Sequence, residues 1–540
     1  MDFRISPAAR IWSLVQQEKK DITAIYFYSV LNGLIQLSLP LGVQAIIGYV
    51  LGGTLSASLI LLISLMVFGV LLVGILQIGQ MKIIEKIQQK IFVRYSFAFA
   101  DRMPKLDLKK VDNYYLPELV NRFFDTITLQ KSISKLLLDL PTAMIQILFG
   151  LILLSFYHPA FILFGVILVL TLWLILYSTG SKGLQSSLAE SSYKYAVAGW
   201  FEEMARVVKS FKFSSGSTLH IRKADEKTGN YLQVRTKHFL ILLLQYKTLV
   251  AFKVAITAAM LIVGVILLLD QQINIGQFVA AEIIIITVIN SVEKIIINLD
   301  SVYDVLTAVE KISKLTDKPI EESGTLQLNE TGGISIITKS LNFGYDGRAV
   351  IQNLSLEIPA GSKVAITGNE GSGKSTLLKL FTGIYTAFEG SLLINNIPIA
   401  NYDLQSLRRR TGIFFLYENI FHGTLLENLT MGRETEQTYL QSLVQKTGLH
   451  LFLQSLPRGY DSEIDPTGKR LPTNVIHKIL LVRALANKPQ LLLLEDPWRG
   501  MEQQFKLQIQ QMLLGLKDTT VVVTTNDDTF INSCEQVIRL

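Results

Sequence analysis

A glycine-rich run in the second half of the chain has the residue types and the spacing of a phosphate-binding loop. Glycines let backbone N–H groups converge on phosphate oxygens without a Cβ in the way. Lys374 can reach the β- and γ-phosphates, and the Ser375 hydroxyl can bind Mg²⁺. The run lies between a predicted strand and a predicted helix, as such a loop requires. We therefore expect a site for ATP and Mg²⁺ formed by Gly368, Asn369, Glu370, Gly371, Ser372, Gly373, Lys374, Ser375 and Thr376.

A pair of carboxylates follows an apolar run further along the chain. Leu491–Leu494 precedes Glu495 and Asp496, which is the pattern of a buried strand that delivers acidic side chains to a phosphate site. Any buried strand followed by an acidic turn has the same pattern, but the loop upstream favours the functional interpretation. We expect Glu495 to bind Mg²⁺ together with Ser375, and we take Glu495 and Asp496 as the catalytic candidates.

The runs around these motifs predict an α/β domain of the P-loop nucleotide-binding type. From residue 331 to residue 540, short Val-, Ile- and Leu-rich runs alternate with helical patterns, which is typical of a mainly parallel sheet. The preceding residues 317–330 begin with a polar run that contains a proline and a glycine, and they indicate a linker. A chain of 540 residues is also too long for one compact domain, so a second domain is expected before the linker.

Residues 1–316 are far more apolar than the rest and predict an all-α membrane domain. Over the whole sequence, hydrophobic residues make up 49% and charged residues only 18%, which is unusual for a soluble protein. Six stretches are long enough to cross a bilayer. We place these six transmembrane helices at 22–50, 56–84, 136–157, 159–179, 240–269 and 274–299.

The basic residues indicate which ends of the spans face the cytosol. They crowd the two long links, within 82–135 and 181–237, whereas the three short links carry neither Lys nor Arg. By the positive-inside rule, the long links and both termini are cytosolic, so we predict a multi-pass protein of the cytoplasmic (inner) membrane. Residues 1–18 predict an amphipathic elbow helix on the lipid bilayer. Nucleic acid is excluded as a partner because the basic residues flank the spans and are not interleaved with stacking aromatics.

Ionisable residues inside the spans are costly unless they face water or a partner. Lys247, Lys253 and Glu293 lie towards the cytosolic ends of their spans, where we expect helices to continue beyond the membrane. Glu282 lies only about two turns from the outer end of its span. We therefore predict that Glu282 lines a substrate cavity, and the alternative is a position at a helix interface.

Six spans followed by these two motifs resemble a type I exporter of the ATP-binding cassette (ABC) family, over essentially the whole chain. The resemblance implies a half-transporter that forms a homodimer, or a heterodimer with another half-exporter. The run Asn342–Tyr345 is similar to the A-loop of the family, so Tyr345 is expected to stack on adenine. Leu106–Thr128 and Ala198–Phe213 fall where the two coupling helices of the family are expected.

The sequence departs from the family pattern mainly at positions that serve hydrolysis. The Q-loop glutamine position is Leu416, and the signature Leu-Ser-Gly-Gly-Gln reads Leu471-Pro-Thr-Asn-Val475. The switch histidine falls on Thr525 or on its neighbour in the run 521–526. The Walker B aspartate and the catalytic glutamate are replaced by Glu495 and Asp496.

These replacements have direct chemical consequences under the resemblance. Leu416 cannot bind Mg²⁺ or hold the attacking water, and Thr525 has no imidazole. Pro472 has no N–H, and the side chain of Val475 forms no hydrogen bonds. Phosphoryl transfer depends on positioning. We therefore predict a degenerate nucleotide-binding domain that keeps ATP binding and loses much of its hydrolytic rate.

Two functions are consistent with this pattern, and whether the chain is an ATP hydrolase stays open. The first is an exporter subunit driven by ATP binding and slow hydrolysis. The sequence looks nearest to the peptide and protein exporters, including type I secretion systems, for which a periplasmic adaptor protein would be an additional partner. The second is a non-hydrolysing ATP-binding subunit that supports a competent partner, which the degenerate signature and switch favour.

Overall fold

The computed structural model of the protein describes residues 7–53, 57–111, 115–214, 216–328, 331–345, 347–465 and 471–540. The chain divides into two compact units. The first unit comprises Met1–Pro104 and Tyr114–Lys318, and the second comprises Lys105–Asn113 and Pro319–Leu540. Residues 105–113 therefore pack with the C-terminal part of the chain, although they precede the linker in the sequence.

The described part of the first unit is helical. A helix makes its backbone hydrogen bonds within one segment, which is the requirement for a chain that crosses lipid. The short helix α4 (Leu108–Val111) belongs to the second unit. The helices of the first unit are α1 (Pro7–Gln17), α2 (Lys19–Leu51), α3 (Ala57–Arg102), α5 (Leu116–Val120), α6 (Asp125–Tyr157), α7 (Ala160–Arg206), α8 (Val208–Phe213), α9 (Leu219–Leu269), α10 (Ile275–Ile297) and α11 (Leu299–Thr316).

The described residues contain six helical stretches that are long and apolar enough to cross a membrane, which confirms the six predicted spans. Large apolar side chains on them are exposed, such as Leu61 at 71% and Phe156 at 82%, as expected for a surface that faces lipid. Helix α9 has 51 residues and is therefore roughly 75 Å long, well beyond a hydrocarbon core of about 30 Å. The long helical links predicted between spans are thus continuations of the spans themselves.

Small and amide-bearing residues join the helices in the interior of the first unit. A Cβ on Gly183 of α7 would lie 2.3 Å from the Tyr303 ring of α11, and a Cβ on Gly150 would lie 2.5 Å from Val288. Small residues at such positions allow helix backbones to approach closely in a membrane. The Ser291 hydroxyl donates a hydrogen bond to Gln146 at 2.7 Å, which links α10 to α6.

The second unit contains three sheets among its described residues. An antiparallel sheet has the order β2-β1-β4-β5, a parallel sheet has the order β11-β3-β10-β9-β6, and β7 pairs with β8. Strands β3, β9 and β10 are almost wholly buried, as expected for parallel strands covered on both faces. The strands are β1 (Ile336–Tyr345), β2 (Arg348–Ile358), β3 (Lys363–Thr367), β4 (Glu389–Ile394), β5 (Ile397–Pro398), β6 (Thr411–Phe414), β7 (Gly423–Thr424), β8 (Glu463–Ile464), β9 (Leu491–Glu495), β10 (Thr520–Thr524) and β11 (Gln536–Arg539).

The parallel sheet gathers the predicted site residues at one edge. The loop 368–373 follows β3, Glu495 ends β9, and Thr525 follows β10. Carboxyl ends of neighbouring parallel strands meet at the same edge of a sheet, where ligands of α/β domains bind. The predicted α/β P-loop class is confirmed. The remaining helices are α12 (Lys374–Phe381), α13 (Leu404–Arg409), α14 (Leu425–Thr430), α15 (Gln437–Lys446), α16 (His450–Gln454), α17 (Thr473–Leu485), α18 (Gln503–Leu514) and α19 (Asp528–Ile531).

Candidate functional site

The glycine-rich loop has a backbone shape that requires glycine. Gly371 has φ +82° and Gly373 has φ +95°, in the left-handed region that residues with a Cβ rarely adopt. Gly373 directly precedes α12, so the loop turns sharply into the first turn of that helix. Asn369 and Glu370 are exposed at the tip of the loop. This turn brings the loop backbone to the N-terminus of α12, where N–H groups can converge on an anion.

Lys374, the first residue of α12, folds back over the loop. Its Nζ donates hydrogen bonds to the carbonyl oxygens of Gly368 at 2.8 Å and Asn369 at 2.7 Å. The ammonium group therefore lies within the concave side of the loop, where bound phosphates are expected. A phosphate oxygen can replace these carbonyl acceptors without a large movement of the lysine.

Ser375 and Glu495 meet directly. The Ser375 hydroxyl donates a hydrogen bond to Glu495 Oε1, and the backbone N–H of Leu416 donates to Glu495 Oε2 at 3.1 Å. A hydroxyl and a carboxylate oxygen in contact suit Mg²⁺, which prefers hard oxygen ligands. Leu416 thus lacks the glutamine side chain of the family pattern, but its backbone orients the carboxylate.

Asp496 lies immediately beyond this pair in an unusual backbone conformation. Its φ is +44°, and its N–H donates to the Thr524 carbonyl at 2.8 Å. Burial raises the pKa of the Asp496 carboxyl; the charge of Arg499 opposes this shift, and the charges of Asp527 and Glu495 add to it. Such a shift is common at catalytic carboxylates, so Asp496 keeps one property expected of a base.

The switch position forms a local contact within the described residues. Thr525 is 4% exposed, and its N–H donates to the Ile366 carbonyl at 3.1 Å. Its hydroxyl oxygen accepts a hydrogen bond from the N–H of Asp527 at 3.1 Å. Asp527 in turn pairs with Lys506. The hydroxyl is therefore used within the turn, whereas Asn526 is exposed.

The segment predicted to occupy the signature position, Leu471–Val475, leads into helix α17. Pro472 precedes the helix, and its carbonyl accepts hydrogen bonds from the N–H groups of Val475 at 2.9 Å and Ile476 at 3.2 Å. No side chain caps this helix start among the described residues. His477, one turn further, lies 3.2 Å through Nδ1 from the carbonyl oxygen of Arg499. This contact joins the signature helix to the turn after Asp496.

The predicted adenine platform is part of an aromatic cluster. The Tyr345 ring lies 5.1 Å from Phe343 and 5.6 Å from Tyr385, centroid to centroid. The Tyr345 hydroxyl lies 3.3 Å from the Thr376 Oγ1 in the first turn of α12. The structure therefore places Tyr345 beside the phosphate-binding loop. Tyr385 was not expected from the sequence, because no motif marks it.

The sequence did not identify Glu418, an acidic residue whose carboxyl is influenced by the charge of Glu495. Burial raises the pKa of Glu418 to about 7, and the charge of Glu495 contributes in the same direction. The charges of Arg483 and Lys379 lower it. The position of Glu418, two residues after Leu416 in a largely apolar run, was the available signal.

Three ionisable residues of the predicted spans differ in whether a charged partner lies beside them. Lys253 and Glu293 form an ion pair at 2.7 Å between α9 and α10. Glu282 is partly buried on α10, and among the described residues none donates a hydrogen bond to its carboxylate. The Lys253–Glu293 pair is neutralised locally, whereas Glu282 has no such compensation.

Two family models match the chain. The model described as the ABC transporter transmembrane region matches residues 22–292, and the model described as ABC transporter matches residues 351–499. The chain belongs to the ABC transporters. It carries one transmembrane region and one nucleotide-binding region, the composition of a half-transporter. The predicted resemblance to this family is thereby confirmed.

Relatives and solved structures agree with the assignment. A candidate export ATP-binding/permease protein of Rickettsia bellii (strain RML369-C) is 25% identical over 422 residues, which cover 76% of this chain and 72% of the relative. An ATP-dependent lipid A-core flippase of Burkholderia orbicola (strain AU 1054) is 25% identical over 285 residues, which cover 52% of this chain and 47% of the relative. The chain thus spans about half the length of the flippase.

The fold of the ABC transporter chain is that of an exporter. A bacterial Atm1-family ABC exporter with ATP bound superposes with a TM-score of 0.84 over 97% of this chain and 93% of that structure, at 18% identity. The exporter half-transporter architecture is therefore confirmed. The names of the two relatives refer to export and to a lipid. The peptide or protein subgroup, type I secretion and the adaptor protein stay predictions.

Proposed function

We propose that this chain is an ABC exporter subunit that binds Mg-ATP at an intact P-loop and hydrolyses it slowly. The observation that carries the proposal is the group formed by Lys374, Ser375 and Glu495. The ammonium of Lys374 lies 2.8 Å from the Gly368 carbonyl oxygen, and Ser375 and Glu495 are hydrogen-bonded to each other. These are the groups needed to hold phosphates and a divalent cation.

The residues that bind the nucleotide, which we call the P-loop side of the site, have separate roles in the proposal. Lys374 binds the β- and γ-phosphates, the loop N–H groups bind phosphate oxygens, and Tyr345 stacks on adenine. Ser375 and Glu495 would hold Mg²⁺, which when bound neutralises charge on the phosphate oxygens. The Leu416 N–H keeps the Glu495 carboxylate oriented.

Hydrolysis is weakened at the residues that serve it in the family, which we call the hydrolytic side of the site. Asp496 keeps a carboxylate but is one methylene shorter than glutamate, and the Thr525 hydroxyl is used inside its own turn. Pro472 and Val475 cannot supply the donors of the family signature. A cassette dimer pairs the P-loop of one chain with the signature of the other, so a homodimer would carry these losses at both sites.

The alternative function is a non-hydrolysing subunit that supports a competent partner. The local contact of Thr525 favours it, because the Thr525 hydroxyl accepts a hydrogen bond within its own turn and threonine has no imidazole. Under this alternative, a heterodimer hydrolyses ATP mainly with the catalytic residues of the partner.

The substrate is proposed to move outward across the cytoplasmic membrane through the first unit. Both termini and the nucleotide-binding unit are cytosolic in this proposal, supported by the basic long links. Glu282 is the proposed cavity residue because a carboxylate in a span without a protein partner needs water or a substrate group. Two substrate classes are proposed. A peptide or protein is favoured by the overall similarity of the sequence to peptide and protein exporters, and a lipid is favoured by the name of the flippase relative.

A complementation experiment tests the proposal. Compounds inside cells that lack the chain are compared with those in cells that express wild type, Lys374→Ala or Glu282→Gln. At least one compound should accumulate without the chain and return to normal with wild type but not with Lys374→Ala. Full restoration by Lys374→Ala would contradict ATP-dependent export. Full restoration by Glu282→Gln alone would make Glu282 an interface residue.

A further inference from the structure

Arg408 connects the linker to the far end of the P-loop helix within the second unit. Its Nη1 and Nη2 donate to Glu321 Oε1 at 2.6 Å and Oε2 at 2.8 Å. The same guanidinium donates to the carbonyl oxygens of Gly383 at 3.0 Å and Thr382 at 3.4 Å, just beyond the C-terminus of α12. We call these contacts of Arg408 the linker clasp.

The ion pair in the linker clasp is expected to be stronger than an ordinary surface ion pair. The contact is bidentate, which adds direction as well as charge. The side chain of Glu321 is 17% exposed and that of Arg408 is 29% exposed, so water screens the pair only partly. Arg408 therefore holds Glu321 and the end of α12 in one arrangement.

The linker is also fixed along its backbone to the segment that carries α13. The N–H groups of Gly324 and Thr325 donate to the carbonyl oxygens of Tyr402 at 2.9 Å and Asn401 at 3.1 Å. A Cβ on Gly324 would lie 2.2 Å from the Asn401 carbonyl. The linker thus lies directly on this segment and cannot move independently of it.

The opposite side of the linker pairs with residues 105–107. The Glu321 N–H donates to the Lys105 carbonyl at 2.8 Å, and the Asp107 N–H donates to the Pro319 carbonyl at 3.0 Å. Leu106, in the middle of this antiparallel bridge, is 3% exposed. In sequence, residues 105–113 connect α3 with the chain that leads to α6. Glu321 is therefore held by Arg408 through its side chain and by Lys105 through its backbone.

A bound nucleotide would act on the first turn of α12. Lys374 begins this helix and bonds to carbonyls of its own loop, and phosphate oxygens would replace these acceptors. Helix α12 has only eight residues, so its first turn and its C-terminal end are only about two helical turns apart. A shift at its first turn therefore reaches Thr382 and Gly383, where Arg408 binds.

We propose that Arg408 is a positioning residue that carries the response of α12 to bound nucleotide through Glu321 to the backbone of residues 105–107. The linker is then an active connection between the nucleotide site and the link that follows α3. This proposal rests on the proposed binding of ATP at the P-loop, and it goes beyond that function by assigning a route for its structural effect.

Backbone amide hydrogen exchange on the purified full chain tests the route. Exchange is measured with and without Mg²⁺ and a non-hydrolysable ATP analogue, in peptides that contain Asp107 and Glu321. In the wild type, the analogue should slow exchange at both amides by about tenfold, the factor that corresponds to one hydrogen bond of ordinary net strength. In Arg408→Gln, the P-loop should remain protected by the analogue while the slowing at Asp107 is lost.

Matched variants separate this route from a general structural role. Arg409→Gln is the control, because Arg409 lies on the same helix, is exposed, and donates to Gln405 of its own helix. It should behave as wild type. Glu321→Gln keeps the size of the side chain and removes its charge, so it should reduce the slowing at Asp107 even if Arg408→Gln folds poorly. Arg408→Lys should restore part of the effect.

The affinity for the analogue is measured on every sample, so that two failures can be told apart. A wild-type chain that does not bind the analogue would contradict the proposed function and this route together. Normal binding with undiminished slowing at Asp107 in both Arg408→Gln and Glu321→Gln would overturn the route alone. A loss of affinity beyond about tenfold in Arg408→Gln would also overturn it, because Arg408 would then act on the binding site itself.

Discussion

The two sides of the nucleotide site differ in the present hydrogen-bond partners of their polar groups. On the P-loop side, Lys374 and Ser375 contact groups that a phosphate or a cation can replace. On the hydrolytic side, the Thr525 hydroxyl accepts a hydrogen bond within its own turn, and the Asp527 carboxylate is occupied by the N–H of Phe530 and by Lys506. Binding depends largely on backbone shape and one ammonium, whereas hydrolysis depends on several side chains placed together. Under the proposed function, the first requirement survives the replacements in this sequence and the second does not.

The largest effect is expected from Lys374→Ala. Loss of the ammonium removes charge-assisted contacts to the phosphates, and each is worth about 1.5–3 kcal/mol. Affinity for a fluorescent ATP analogue should fall by about 100-fold. Lys379→Ala, on the same helix, is the control and should bind normally. Equal affinity of the two variants would show that the P-loop side does not bind ATP.

A smaller effect on the same side is expected from Tyr345→Ala. Stacking of a base on an aromatic ring contributes about 1–3 kcal/mol, so affinity should fall by about tenfold. Tyr345→Phe keeps the ring and removes only the hydroxyl near Thr376, and it should bind within about threefold of wild type. If Tyr345→Phe and Tyr345→Ala bind equally weakly, the hydroxyl and not the stacking ring is the important group.

The Glu418 carboxyl makes the stability of the folded protein depend on pH. Its folded-state pKa of about 7 is above the ordinary value of 4.5, so folding favours the protonated form. The folded state therefore loses stability as the pH rises from 4.5 to 7, by about 1–2 kcal/mol for a partly exposed group. Glu418→Gln should raise the Tm by a few degrees at pH 8 and change it little at pH 4.5. An equal gain at both pH values would contradict this charge effect.

The smallest effect is expected from Asp496→Asn. If the hydrolytic side is already impaired, removal of its remaining base should change the residual ATPase rate by less than about twofold. In a heterodimer, mutation of the partner's catalytic glutamate should instead reduce the rate strongly. A loss of about 100-fold in Asp496→Asn would show that Asp496 is a working base.

Local patterns were sufficient to predict the motifs and the architecture. Apolar length predicted the spans, and the glycine spacing predicted a phosphate-binding loop, in which Gly371 and Gly373 have left-handed backbone conformations. Positions brought together by long-range folding were beyond such patterns. No local signal shows that Tyr385 completes the cluster around Tyr345, or that the Leu416 N–H holds Glu495.

The linker illustrates the same limit. Its proline, glycine and polar residues predicted a linker over residues 317–330, but they gave no information about its contacts. The structure instead pairs Glu321 with Arg408 and with the backbone of Lys105. Both partners are distant in the sequence, so neither composition nor periodicity could identify them.

The central claim, that binding is intact and hydrolysis is impaired, is tested most directly by one measurement on the purified chain without a partner half-exporter. Binding of a fluorescent ATP analogue and steady-state ATP hydrolysis are measured on the same sample with Mg²⁺. The account predicts saturable binding that is lost in Lys374→Ala, with a turnover rate well below about 1 per second. Saturable binding together with a rate of about 1–10 per second, ordinary for enzymes, would contradict it and would show that the hydrolytic side is functional.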